Sequence, residues 1–137
     1  MREIKFRCWD EHNKIMWPVK SLYFNQDPKD GKLEHIGFSY RGAIFTPNDN
    51  NTLMQFTGLK DKNGREIYEG DIITSGTSYN LEVFWMGVAW GVRWKDMGND
   101  EEVMIHDDGG DMGMDEKGNM TYMEVIGNIY ENPEVLK

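Results

Sequence analysis

The chain has 137 residues, a formal net charge of −9, 39% hydrophobic and 12% aromatic side chains, a composition that suits one compact domain and excludes wholesale disorder. Its single cysteine, Cys8, excludes an intrachain disulfide and a cysteine-based zinc site from one copy, and no apolar run approaches the roughly 20 residues of a membrane helix. Residues 1–20 carry five basic and three acidic groups, whereas residues 96–137 carry two basic and twelve acidic ones, so binding of a phosphate backbone over the whole surface is disfavoured.

Alternating, strand-type patterning dominates. The first stretch, MREIKFRCWDEHNK, is charged throughout and offers no apolar core for a signal peptide; with the lone cysteine it predicts a cytoplasmic location. Within it Ile4, Phe6 and Cys8 alternate with Lys5, Arg7 and Trp9, which predicts a strand with the first set on one face and the second on the other. DEHNK turns the chain and IMWPV returns, with Pro18 at a strand end where a missing N–H costs little. NQDPKDGK at 25–32 and PNDNN at 47–51 read as loops within a compact domain, and LEHIGFSYRGAIFT between them as one or two short strands.

LMQFTGL predicts a strand, Asn63 and Gly64 a tight turn, and REIY the return. Gly70 and Asp71 mark a second bend, where Asp71 caps backbone N–H groups and Ile72 and Ile73 suit a buried strand. The strongest period-two signal is LEVFWMGVAWGVRW at 81–94: Leu81, Val83 and Trp85, then Val88, Trp90, Val92 and Trp94, give a hairpin with one apolar face. Ala89 and Gly91 opposite leave room for close approach by another backbone or sheet. Residues 96–120 are rich in Asp, Gly and Met; only EVMI reads as strand, and the rest predicts a mobile excursion. TYMEVIGNIYENPEVL predicts a closing strand ended by ENP.

The sequence offers three kinds of candidate site. His106, Asp107, Asp108, Asp111 and Asp115 are candidate hard-cation ligands, but starting at Asp107 or Asp111 the sixth position holds Met112 or Glu116 instead of the glycine of a calcium loop. A solvated acidic loop is the preferred reading, with no metal and no cofactor. Cys8 with His12, His35 or His106 would be a nucleophile and base, yet Cys8 shares the predicted apolar face of Ile4 and Phe6, where thiols are inert, and no catalytic motif accompanies it. No enzymatic activity is expected. Trp85, Trp90 and Trp94 form the candidate interaction face, against the alternative that they fill a barrel core.

MREIKFRCWDEHNKIM, LMQFTGLKDKNGREIYEGDII and VIGNIYENPEVL, in this order, resemble the YopX protein family, found largely in phages and prophages. The resemblance implies a mainly β protein, a small antiparallel sheet or barrel with an SH3-like C-terminal part, and self-association; it implies no activity and no catalytic residues. The expected organisation is a single domain over 1–137, or an N-terminal β module at 1–52 packed on a barrel part at 53–137. The expected function is binding, as a homo-oligomer or an adaptor to another phage or host protein. Two alternatives stay open: a nucleic-acid accessory protein using Arg2, Lys5 and Arg7 with an aromatic platform, and an acidic nucleic-acid mimic built on 96–120.

Overall fold

The computed structural model describes residues 3–26, 28–76, 79–96, 98–105, 113–117 and 119–136. It is mainly β: the described residues form twelve antiparallel strands and a short 3-10 helix at Pro133–Leu136. Among the described residues no helix is long and apolar enough to cross a membrane. The chain forms two compact units, one over Ile4–Gln55 and one over Phe56–Lys137 with Met1–Glu3.

The first unit holds β1 (Phe6–Asp10), β2 (Ile15–Pro18), β3 (Ser21–Gln26), β4 (Leu33–Tyr40), β5 (Ala43–Phe45) and the start of β6 (Asn51–Lys60). β1 pairs with β2 and with residues 51–55 of β6, and β4 pairs with β3 and β5. Cys8, Phe38 and Tyr40 form its buried core, packed against Trp17, Leu22 and Phe45, with the Tyr40 and Phe45 rings stacked at 4.3 Å. Asp10 closes the β1–β2 turn: its carboxylate accepts the Asn13 backbone N–H at 3.0 Å and the Asn13 side-chain amide at 2.8 Å. Arg41 Nη1, from the β4–β5 turn, donates to the same carboxylate at 3.0 Å. Here the strand differs from its sequence pattern. Trp9, expected beside Lys5 and Arg7 on a polar face, is 3% exposed, so β1 is buried on both faces over Cys8–Asp10, and Ile4, ahead of the strand, is 68% exposed.

The second unit continues β6 into β7 (Glu66–Tyr68), then β8 (Asp71–Thr74), β9 (Asn80–Trp85), β10 (Trp90–Asp96), β11 (Asn99–Met104) and β12 (Glu124–Asn128). The last five form one antiparallel sheet in the order β11-β10-β9-β8-β12, which curls into a half-barrel. Ile67, Ile73, Val83, Val92, Met120 and Val125 are among its buried core side chains. β11 extends beyond EVMI to cover 99–104, and Met114 bridges to Met120, which is 1% exposed. Both methionines therefore serve the core instead of a loose excursion; residues 106–112 lie outside the described set.

A buried carboxylate holds the β6–β7 turn. Asp61, 2% exposed, accepts the N–H groups of Asn63 and Arg65 on Oδ1, each at 2.9 Å, and that of Val125 on Oδ2 at 3.0 Å. The left-handed residue that the turn requires is Gly64, at φ 82°, and not Asn63. Asp71 takes the capping role expected of it, accepting the Tyr68 N–H at 2.8 Å. Asn128 ends β12 by accepting the N–H groups of Tyr130 and Glu131 at 3.0 and 2.8 Å.

Candidate functional site

Among the described residues of the second unit, the β9–β10 hairpin carries the most exposed large apolar side chains, Val88 and Trp85. Trp85 pairs with Trp90 and Val83 with Val92, so all four share one face. The turn closes with Met86 N–H donating to the Ala89 carbonyl at 2.8 Å. Met86 then folds back into the space that a side chain at Gly91 would fill, with the Val103 carbonyl also close by. The small residue thus admits a side chain of the hairpin's own turn as well as the neighbouring strand. Val88, expected on the apolar strand face, lies in the turn instead and is 80% exposed.

Trp85, 47% exposed, meets Trp90 edge-on with ring centroids 5.1 Å apart. Together with Val88, Leu59, Ile105 and Met114 they line an open hollow of about 570 Å³, within the size range of ligand sites. Thr57–Leu59 of β6 completes it; the Thr57 hydroxyl donates to the Ile67 carbonyl at 2.7 Å and so fixes that wall. Trp90 is 9% exposed, and its indole N–H is buried without a hydrogen-bond partner among the described residues. A buried donor left unpaired costs about 1–3 kcal/mol.

Trp94 is separate. It packs against Tyr79 at 5.9 Å and borders a smaller cleft of about 120 Å³ with Glu82, Arg93 and Asp100. There Arg93 Nε donates to Glu82 at 2.8 Å and its guanidinium sits 4.5 Å over the Phe84 ring, so its charge is already matched. Of the three tryptophans proposed from sequence, the structure brings two together and leaves the third in a different setting.

Lys5 and Arg7 are half-buried, and Arg7 Nη2 rests 3.9 Å from Met54 Sδ; Arg2 lies outside the described residues. Burial pushes the Cys8 thiol up to about 11, so its thiolate is scarce at neutral pH. Among the described residues no group of three His, Cys, Asp or Glu side chains gathers as a metal site. His106, Asp107, Asp108 and Asp111 lie outside them. Asp115 organises a turn: it accepts the Lys117 and Asn119 N–H groups at 2.8 and 2.9 Å, and the Asn119 bond above all holds its carboxyl below the usual range.

Asp61, the Leu59 wall and Met114 were the members that local sequence reading missed. Each makes a contact across a gap in sequence that only the fold creates, Asp61 through the Val125 N–H.

The family model described as YopX protein matches residues 5–137. The chain is similar to the crystal structure of protein EF1440 from Enterococcus faecalis, at 26% identity and a TM-score of 0.58, with 100% of both chains covered. It is also similar to the X-ray structure of protein yopX from Bacillus subtilis, at 23% identity and a TM-score of 0.52, again with 100% of both chains covered; that likeness speaks to the fold. Among curated proteins nothing matches.

Proposed function

The chain belongs to the YopX protein family, and from that premise and the geometry of the hollow we propose that it is a non-catalytic binding protein, a phage-type adaptor whose β9–β10 hairpin receives an apolar side chain of a protein partner. The observation that carries this reading is the edge-on pairing of Trp90 with the exposed Trp85, beside the exposed Val88, around one open hollow. A partner's side chain would remove Trp85 and Val88 from water, at about 25 cal/mol per Å² of apolar area. Tryptophan is among the residues enriched at the anchor positions of protein interfaces. The adaptor works in the cytoplasm and needs no cofactor or metal.

The test is a photo-crosslinking residue at Val88, compared with the same residue at Ile44, which is 63% exposed in the other unit. The expected result is a protein crosslinked in cell lysate from position 88, absent from position 44 and lost when Trp85→Ala is added. Crosslinking to a second copy of the chain would make the occupant a homo-oligomer partner. Equal labelling from both positions, insensitive to Trp85→Ala, would overturn the reading.

A further inference from the structure

The hollow opens beside a strand edge. β11 is the terminal strand of its sheet, paired with β10 on one side, and among the described residues no strand lies along the other. Its register fixes which groups face outward. The Ile105 N–H donates to the Trp90 carbonyl at 3.0 Å, so in this antiparallel ladder the alternate residues Val103 and Glu101 also direct their backbone groups toward β10. Glu102 and Met104 direct theirs away from it.

The side chains along that edge are acidic and exposed: Asp100, Glu101 and Glu102 follow one another, within the segment 96–137 that holds two basic and twelve acidic residues. Carboxylates on an edge strand repel a second copy of the same edge. They attract an incoming strand of opposite charge. The strand also ends at the hollow, since Met104 and Ile105 are part of its lining.

We propose that the outer edge of β11 accepts an added strand: an extended, basic segment of a partner protein pairs with the outward backbone groups of Glu102 and Met104, sets lysine or arginine against Glu102, and delivers an apolar residue to the Trp85–Trp90 hollow. This rests on the binding reading above and specifies its partner. Backbone pairing supplies affinity and the charges and hollow supply selectivity, as in other strand-addition interfaces.

The probe is a synthetic nine-residue peptide of alternating lysine and valine with one leucine near its end, titrated into the isotope-labelled full chain; a glutamate-for-lysine peptide is the control. At saturation the Glu102 and Met104 amides are expected to exchange with deuterium about tenfold more slowly or better, and the acidic control to leave them unchanged. Glu102→Pro removes an outward N–H that β10 does not use, so the sheet persists while the Kd rises by about tenfold or more. Should that variant fold poorly, Glu101→Lys with Glu102→Lys keeps every backbone group and is expected to lose the basic peptide and gain the acidic one. Absence of binding at millimolar peptide, or binding with no protection of the two amides, overturns the proposal. Binding that survives Glu102→Pro but is lost in Trp85→Ala overturns strand addition and leaves the hollow as the binding site.

Discussion

Asp61 and Trp90 are both buried polar side chains of the same unit, 2% and 9% exposed, and they differ in completeness. The Asp61 carboxylate receives three backbone N–H groups and ties the β6–β7 turn to β12, so its acceptor capacity is spent inside the fold. The Trp90 N–H has no such partner among the described residues, and Trp90 lines an open hollow. The first is a closed arrangement that specifies structure; the second leaves a donor unmatched on a residue that lines an exposed hollow. The blocks that resemble the YopX family fall largely in the closed part, around Asp61, Asp71 and Asn128. The exposed hairpin tip lies outside those blocks, although Thr57–Leu59, within one of them, helps to line the hollow.

The sharpest way to break this contrast is to open the closed site. Asp61→Ala leaves three N–H donors without their acceptor and is expected to destabilise the protein by about 3 kcal/mol or more in guanidinium unfolding; Asp61→Asn, which keeps one carbonyl oxygen, is expected to lose less. Asn128→Ala removes the acceptor of two N–H groups within one local turn, and should cost about 1–2 kcal/mol by the same measurement.

Asp10 extends the comparison to the first unit. Its bonds from Asn13, and then Arg41, hold its carboxyl below the usual 3.8. The stability it contributes is therefore fully present above pH 3.8 and is lost as pH falls through the lower folded value. Acid titration of unfolding should show this loss in the native chain and a flattened profile in Asp10→Asn. The smallest effect is expected at the open site: Gly91→Ala displaces Met86, a flexible side chain, at a cost of about 1 kcal/mol. It should change the near-ultraviolet circular dichroism of the Trp85–Trp90 pair while the far-ultraviolet spectrum stays as it was.

What the sequence made legible was local. Period-two alternation located the β9–β10 hairpin and put Val83, Trp90 and Val92 on its buried face, and the Gly70-Asp71 bend with Ile72 and Ile73 behind it formed as its residue types require. The rest depended on contacts between distant segments. Asp61 looked like one more turn residue because its partner Val125 is 64 positions away. Trp9 looked like part of a polar face because alternation assumes that one side of a strand meets water. Met114 and Met120 looked like loop because nothing near them in sequence announces the Met114–Met120 bridge. The hollow was half legible: Trp85 and Trp90 were named from the hairpin, but its Leu59 and Met114 walls come from other segments, and Trp94 belongs to a different cleft.

Guanidinium unfolding of Trp90→Phe beside Asp61→Ala tests the central contrast most directly. Trp90→Phe removes an unpartnered donor and keeps most of the aromatic packing, so its stability should stay within about 1.5 kcal/mol of the native chain, against a loss of about 3 kcal/mol or more for Asp61→Ala. If Trp90→Phe costs as much as Asp61→Ala, the indole N–H serves the fold itself, and the hollow is part of the core instead of a place for a partner.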